Sequence, residues 1–175
     1  RRDGTPIGAV YGFTNMLLRF IEKHTADYIV VALDAGKKTF RHDIYSEYKA
    51  HRPPAPEDLI VQLPIIREAI SAFNIKVLEQ EGVEADDLIA SYTTYATQKG
   101  VEVMVVSADK DLMQLIRDGV YLYDPIKEKI IGEAEVKEKY SVYPNQMTDY
   151  LALLGDASDN IPGVAGIGAK TASKL

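Results

Sequence analysis

The sequence of 175 residues contains no cysteine, which excludes a disulfide framework and a thiolate metal site. No stretch approaches the roughly 20 apolar residues of a membrane-spanning helix, and no signal-peptide pattern is present. The three histidines are scattered at positions 24, 42 and 51, so they offer no nucleophile and base pair. We therefore expect a protein of the cytoplasm without a membrane partner.

The bulk composition is ordinary for a globular protein, with 46% apolar and 26% charged residues. The length allows one domain and the start of a second. The chain begins with Arg1 and Arg2, without an initiator methionine, and it ends inside an apparent helix. We expect it to be a piece of a longer protein.

The net charge of −6 argues weakly against nucleic acid as a partner, but the charge distribution reverses that argument. Basic residues crowd residues 37–52, and such a stretch beside acidic residues suits a polyanion held at its phosphates. Two tyrosines there, Tyr45 and Tyr48, could stack on bases. A solvated basic loop is an equally open alternative. The basic residues are Lys37, Lys38, Arg41, Lys49 and Arg52.

Helical and strand patterns alternate along the chain. Helical spacing of apolar residues covers 8–23, 57–73, 86–99 and 110–116, whereas continuous apolar runs at 28–33, 75–78, 101–106 and 120–123 predict buried strands. Residues 35–55 predict a long loop or a mobile helical segment. We expect an α/β fold with a mostly parallel central sheet flanked by helices, over residues 1–140. Residues 141–175 predict a separate helical module.

Acidic residues are the most informative feature of the sequence. They form three clusters and one single aspartate, and two of them, Asp34 and Asp109, follow or nearly follow predicted strands, where an open α/β sheet places its functional groups. So many acids at one edge would repel each other unless cations lay between them, and oxygen ligands favour Mg²⁺ or Mn²⁺. The sequence therefore predicts a metal-dependent enzyme acting on phosphate esters. The acids are Asp34, Glu84, Asp86, Asp87, Asp109, Asp111, Asp156 and Asp159.

Each acidic cluster also has a purely structural explanation. Acids in the first turn of a helix are stabilised by the helix dipole, which offers a structural role at residues 84–87, although three acids in four residues exceed what capping needs. Asp109 could cap the helix predicted to begin at Lys110. Asp156 and Asp159 have the spacing of one helical face, although Asp-rich turns are common. The joint occurrence of the clusters is the strong signal for metal binding.

The glycine-rich stretch near the end of the chain is not a phosphate-binding P-loop, because Ala169 separates Gly168 from Lys170. Gly166 and Gly168 suit a tight hairpin between two helices. Backbone amides exposed at such a hairpin could hold a DNA phosphate. A plain turn between helices is the alternative.

Several of these stretches together resemble a known family. Residues 40–49, 84–87, 107–112 and 155–172, with the opening residues 3–13, look like the 5′-nuclease domain of bacterial DNA polymerase I, in the flap-endonuclease superfamily. The resemblance covers nearly the whole chain in order. It implies a PIN-like 5′-nuclease fold ending in a helix-hairpin-helix element, and a structure-specific nuclease that cleaves DNA at 5′ ends and flaps. It also implies two Mg²⁺ or Mn²⁺ ions, a role in primer removal and repair, and a polymerase domain in the same parent chain.

The resemblance also assigns roles to residues. Glu84, Asp86, Asp109 and Asp111 match the inner metal ligands, with Asp34 and Asp87 close by, and Asp156 and Asp159 match the second metal position. Arg41 and Lys49 match basic residues of a helical arch, here at about residues 35–55, that contact the scissile phosphate. Residues 163–170 match the hairpin that grips duplex DNA, often with K⁺. The implied DNA-binding residues are Lys37, Lys38, Arg41, Tyr48, Lys49, Arg52, Gly163, Gly166, Gly168 and Lys170.

One departure from the family pattern concerns the start of the chain. The family's first strand ends in a further metal-site aspartate followed by glycine, ahead of the region where this chain begins. Asp3 and Gly4 imitate that pair without a preceding strand, so we do not assign Asp3 to the metals. We expect a fragment that lacks this strand and part of the hairpin module. The alternatives are a non-catalytic DNA-binding module and a related metal-dependent ribonuclease.

Overall fold

The computed structural model describes residues 4–36 and 38–175. Its strands are β1 Val30–Ala32, β2 Lys76–Leu78, β3 Val103–Val106, β4 Val120–Asp124, β5 Lys129–Ile131, β6 Gly155–Asp156 and β7 Ile161–Pro162. Its α-helices are α1 Gly8–Lys23, α2 Phe40–Ile44, α3 Glu57–Ile60, α4 Leu63–Ala72, α5 Ala85–Gln98, α6 Glu133–Tyr140, α7 Met147–Leu154 and α8 Ala169–Ala172. Two 3₁₀ helices cover Asp111–Leu115 and Pro144–Gln146.

The strands form parallel pairs, as the alternation of helix and strand predicts. β1 pairs with β2 and β3 pairs with β4 in parallel, whereas β5 adds to β4 in the antiparallel direction. The single central sheet that we expected is only partly realised, since the described strands of this region fall into a two-stranded and a three-stranded sheet. Apolar runs identify strands but not their partners, because pairing depends on contacts distant in sequence. Helix α5 packs against both β1 and β3 and so connects the two sheets.

The predicted helix over residues 57–73 is two helices, α3 and α4. Pro64 lies in the first turn of α4, where its missing N–H would have no helical partner. The same residue inside one long helix would remove a hydrogen bond, so the break precedes it. Residues 35–55, predicted as a loop or mobile helix, contain the short helix α2 and a series of turns.

Asp156 and Asp159 do not share a helical face, which corrects the interpretation of their spacing. Helix α7 ends at Leu154, Asp156 is the second residue of β6, and Asp159 lies in the turn between the two-residue strands β6 and β7. Gly155 has a φ of +77°, and a Cβ added to Gly163 would lie 2.3 Å from the backbone of Leu154. These two glycines permit a close backbone approach that a continued helix would prevent.

One hydrophobic core draws on both parts of the sequence. Leu122 of β4 and Val136 of α6 are fully buried beside Met147 of α7, and Ala172 of α8 belongs to the same cluster. Each large side chain buried this way contributes about 1.5–3 kcal/mol. The boundary near residue 140 stays a prediction, because residues on both sides of it pack together. Among the described residues, no helix is long and apolar enough to span a membrane.

Candidate metal centre

Seven of the eight predicted acids line one open cavity of about 730 Å³. The cavity lies where β1 and β3 end, beside the N-terminus of α5 and the turn at residues 157–160. The convergence that we predicted for the strand-end acids is confirmed, whereas their chemical role stays a prediction. We call this cavity the acidic cavity, and its acids are Asp34, Glu84, Asp86, Asp109, Asp111, Asp156 and Asp159.

The eighth acid, Asp87, does not line the acidic cavity. Its carboxylate accepts hydrogen bonds of 2.6 and 2.8 Å from the Arg41 guanidinium and one of 2.9 Å from the backbone N–H of Glu84. The hydrogen bonds from Arg41 contribute most to lowering the pKa of Asp87 below its usual range. The metal role predicted for Asp87 does not fit this placement, because both carboxylate oxygens are engaged elsewhere.

Four acids of the cavity form no ion pair among the described residues, namely Asp34, Asp86, Asp109 and Asp111. Burial, followed by repulsion from Asp109 and Glu84, raises the pKa of Asp86 to about 6. Burial and Asp109 also raise the pKa of Asp111, whose Oδ1 is buried without a hydrogen-bond partner among the described residues. A buried oxygen of this kind carries a desolvation cost that a bound cation would remove. The donor set therefore fits a hard divalent ion.

The other acids of the cavity are neutralised by basic side chains. The ammonium of Lys49 lies 2.9 Å from Oε1 of Glu84, and Lys110 lies 2.7 Å from Asp156. Arg52 lies 2.5 Å from Asp159. Burial opposes ionisation of Asp156, but hydrogen bonds from Lys110 and Ser158 lower its pKa to about 2.

The acids of the cavity do not gather around a single point. Within residues 4–36 and 38–175, no group of three acids stands close enough together to hold an ion as placed. The ammonium of Lys49 contacts two of these carboxylates, 2.9 Å from Glu84 and 3.7 Å from Asp159.

The segment at residues 45–52, which we call the strap, is docked on the turn that carries Asp159. The backbone N–H of Lys49 donates to the Asp159 carbonyl at 2.9 Å, and Lys49 adopts a φ of +55°, which is uncommon for a residue with a Cβ. Arg52 donates to the Ser158 carbonyl at 3.0 Å, and Asn160 donates to the Glu47 carbonyl at 2.7 Å. The strap is therefore held by backbone contacts as well as by charge.

The predicted basic residues divide into three groups. Arg41, Lys49 and Arg52 face carboxylates, so a solvated basic loop does not describe them. Lys38 is 76% exposed and pairs only with Asp43 among the described residues. Lys37 lies outside the described residues.

Tyr48 is placed differently from its predicted role in base stacking. Its ring is 5% exposed, and its hydroxyl lies 3.0 Å from Oε2 of Glu84 and 3.0 Å from Oδ2 of Asp159. Burial and these two charges raise the pKa of Tyr48 well above its usual range. Stacking on bases does not fit a buried ring, whereas Tyr45, at 37% exposure, retains an accessible one.

The glycine hairpin lies on the surface directly before α8. Gly166 has a φ of +82°, and nothing lies within 4 Å of a Cβ added to Gly166 or Gly168. Lys170 is exposed in α8. Gly163, in contrast, is packed against the end of α7, so its glycine is required by the fold rather than by access to a ligand.

Comparison with protein families identifies the family of this chain. A family described as 5′-3′ exonuclease, N-terminal resolvase-like domain, matches residues 1–141, and the 5′-3′ exonuclease C-terminal SAM fold matches residues 142–175. The chain belongs to the 5′-3′ exonuclease family. The predicted α/β nuclease fold with a helical C-terminal element is thereby confirmed.

Relatives of this chain include proteins named DNA polymerase I and a protein named 5′-3′ exonuclease. It is 48% identical to DNA polymerase I of Rhizobium leguminosarum, covering 100% of the chain and 18% of the relative. It is 44% identical to the 5′-3′ exonuclease of Aquifex aeolicus, covering 98% of the chain and 60% of the relative. The crystal structure of T5 D15 protein, co-crystallized with metal ions, matches with a TM-score of 0.82 at 25% identity, covering 99% of this chain and 68% of that one. The chain thus spans only part of these relatives.

Sequence reasoning did not assign a role to four of the polar residues that line the acidic cavity, namely Lys110, Lys139, Tyr140 and Ser158. Lys110 stands between Asp109 and Asp111, so a cation inside an acidic motif was a signal that could have identified it. Lys139 and Tyr140, at the end of α6, and Ser158 also line the cavity, and no local pattern marks them.

Proposed function

We propose that this chain provides a structure-specific 5′-nuclease, which hydrolyses DNA phosphodiesters at 5′ ends and at flap junctions during primer removal and repair. The observation that supports this most is the acidic cavity, in which Asp86, Asp109 and Asp111 lack ion-pair partners among the described residues. The name of the Aquifex aeolicus relative as a 5′-3′ exonuclease supports the same reaction. A non-catalytic DNA-binding module would have no need for uncompensated acids.

Two divalent cations, Mg²⁺ or Mn²⁺, are proposed as the cofactors. Asp86, Asp109 and Asp111 with Glu84 would hold one ion near the strand ends, with Asp34 beside it. Asp156 and Asp159 would hold the other. When bound, such ions activate water as a nucleophile and stabilise charge on the leaving oxygen. The T5 D15 structure with metal ions supports this proposal.

The basic residues of the strap and of α2 are proposed to act on the substrate phosphate. Lys49 lies 2.9 Å from Glu84 and 3.7 Å from Asp159, so its ammonium already stands over the carboxylates. Lys49 and Arg41 would neutralise the scissile phosphate as negative charge grows in the transition state. Arg52 and Lys38 would contact neighbouring phosphates.

The hairpin at Gly166 and Gly168 is proposed to bind the duplex. Both positions leave open space around the backbone, and Lys170 adds an exposed positive charge. Backbone amides and a lysine hold phosphates without reading bases. A K⁺ ion at this hairpin would complete the contact.

A polymerase domain in the same parent chain and a cytoplasmic location are also proposed. Two DNA polymerase I relatives contain the matching segment as 18% and 21% of their length. Sequencing the gene on both sides of the encoding segment tests the first proposal. Fluorescence microscopy of a tagged full-length protein tests the second.

The nuclease proposal is tested with a 5′-labelled flap duplex and the protein that carries this chain. Cleavage should require Mg²⁺ or Mn²⁺ and stop in EDTA. Asp109→Asn should lower the single-turnover rate at least a hundredfold and leave duplex binding intact, whereas Asp27→Asn, an exposed control away from the cavity, should have no effect. Cleavage that persists in EDTA, or a normal rate for Asp109→Asn, would refute the proposal. Binding without any cleavage would favour the DNA-binding module, and preferential cleavage of RNA would favour the ribonuclease.

A further inference from the structure

The hydroxyl of Tyr48 lies between two carboxylates that come from distant parts of the sequence. Glu84 precedes α5, Asp159 belongs to the turn between β6 and β7, and both lie 3.0 Å from the hydroxyl oxygen. The side chains of Glu84 and Asp159 are only 13% and 12% exposed. Tyr48 therefore joins the part of the acidic cavity near α5 to the part near β6.

The position of this hydroxyl is fixed by contacts other than the two carboxylates. The ring of Tyr48 is buried and meets the ring of His42 edge-on at 5.5 Å. The backbone N–H of Tyr48 donates to the Tyr45 carbonyl at 3.0 Å, and the next residue, Lys49, is bonded to the Asp159 carbonyl. These contacts hold the hydroxyl in place, so the two carboxylates can be oriented by it.

A tyrosine hydroxyl differs from the neighbouring lysine in what it does to these carboxylates. The Lys49 ammonium contacts both Glu84 and Asp159, but it neutralises their charge and sits on a long flexible chain. The hydroxyl is neutral, and its single hydrogen can be donated to either acid. It donates to one carboxylate at a time, so it can orient Glu84 and Asp159 alternately while leaving the negative charge of both available to a cation. Groups that orient metal ligands in this way typically affect metal affinity about 10–100-fold.

We infer that Tyr48 is a positioning residue, which holds Glu84 and Asp159 in register so that the two proposed metal positions form together. This inference rests on the proposed function, since it assumes that both carboxylates bind ions. It replaces base stacking as the role of Tyr48. It assigns no step of the reaction to the hydroxyl, which acts through the two acids.

The inference is tested by Mn²⁺ binding to the protein that carries this chain. Tyr48→Phe keeps the buried ring and removes only the hydroxyl. Tyr45→Phe is the matched control, because Tyr45 lies in the same strap, is 37% exposed and does not line the acidic cavity. Calorimetry should show that Tyr48→Phe weakens binding of the weaker Mn²⁺ about tenfold, while Tyr45→Phe binds as the wild type does. In cleavage assays the Mn²⁺ requirement of Tyr48→Phe should rise about tenfold, with kcat restored at saturating Mn²⁺.

Different outcomes separate this inference from the proposed function. If the wild type binds Mn²⁺ and cleaves flaps while Tyr48→Phe matches it in affinity, the inference alone is overturned. If the wild type neither binds Mn²⁺ nor cleaves, both are overturned. If kcat stays low at saturating Mn²⁺, Tyr48 takes part in the reaction itself, and the positioning role is overturned.

A second comparison applies if Tyr48→Phe does not fold. Asp159→Asn removes the repulsion that the hydroxyl would otherwise moderate, so Tyr48→Phe/Asp159→Asn can be compared with Asp159→Asn alone. Because one of the two oriented carboxylates is then absent, the added Phe should lower Mn²⁺ affinity by much less than tenfold. An undiminished tenfold loss would show that Tyr48 does not act through Asp159.

Discussion

Asp86 and Asp87 are sequence neighbours in opposite electrostatic environments, so the same substitution should have opposite effects on stability. Asp86 faces Asp109 and Glu84 without an ion-pair partner among the described residues, and its pKa is raised to about 6. Asp87 is bonded to Arg41 and to the backbone of Glu84, and its pKa is lowered. In EDTA, Asp86→Asn should stabilise the protein and Asp87→Asn should destabilise it.

The size of the first effect follows from the pKa of Asp86. A rise from 3.8 to about 6 corresponds to a ceiling of about 3 kcal/mol, at about 1.4 kcal/mol per pH unit. Asp86 is only partly buried, so solvent screening reduces this value to about 1 kcal/mol. Asp87→Asn loses charged hydrogen bonds to Arg41, which should cost about 1–2 kcal/mol.

The pH dependence gives each effect a distinct signature. Because the folded pKa of Asp86 lies above its unfolded value, the folded state binds more protons between pH 3.8 and about 6, and stability falls as pH rises through that window. The gain from Asp86→Asn should therefore be complete above about pH 6 and vanish below about pH 4. The folded pKa of Asp87 is lowered instead, so the cost of Asp87→Asn should persist at pH 5 and disappear only in stronger acid.

Urea unfolding in EDTA at pH 7.5, 5.0 and 4.0 measures both variants. In saturating Mn²⁺ at pH 7.5, Asp86→Asn should become less stable than the wild type. An ion that binds the folded state stabilises the wild type more than it stabilises this variant. A loss of stability for Asp86→Asn in EDTA at pH 7.5 would refute the reasoning. So would a gain that does not shrink on acidification.

The parts of the fold that follow local rules could be predicted from the sequence. Helix α5 has apolar residues at helical spacing and ends before Gly100, whose φ of +74° suits a helix end. Strand β5 was missed, because the turn before it is set by Asp124, which accepts the backbone N–H groups of Ile126 and Lys127, rather than by a glycine or asparagine signal. The split of the sheet was missed because strand pairing is not local.

The acids of the site could be predicted from their number and their position after strands, but their individual states could not. Nothing in the sequence separates Asp86 from Asp87, since the difference arises from Arg41, 46 residues away from Asp87. Tyr48 was assigned to DNA because its neighbours are basic. Its burial depends on the docking of the strap against Asp159, and no local sequence pattern predicts that docking.

The pairing of acids with basic residues explains how such a site can fold before any ion binds. Glu84, Asp156 and Asp159 would repel the remaining acids if they were unpaired, but Lys49, Lys110 and Arg52 compensate them. Only the acids without ion-pair partners then still repel each other strongly enough to favour binding of a cation. If ions took over the carboxylates as proposed, the same lysine and arginine side chains would become available to phosphate.

Three further substitutions test separate parts of this account. Lys49→Ala should lower flap cleavage more than tenfold in rapid-quench assays and cost stability only in EDTA, because ions replace its charge on the carboxylates. Lys170→Ala should weaken duplex binding and lower the slope of log affinity against log salt by about one, measured by fluorescence anisotropy, with an unchanged cleavage rate at saturating DNA. Gly163→Ala would place a Cβ 2.3 Å from the backbone of Leu154, which cannot yield as a side chain can, so urea unfolding should show a loss of about 2–3 kcal/mol. Gly168→Ala, with nothing within 4 Å, is its control and should cost less than about 1 kcal/mol. Equal stability of these two variants would mean that the backbones at Leu154 and Gly163 do not approach as closely as described.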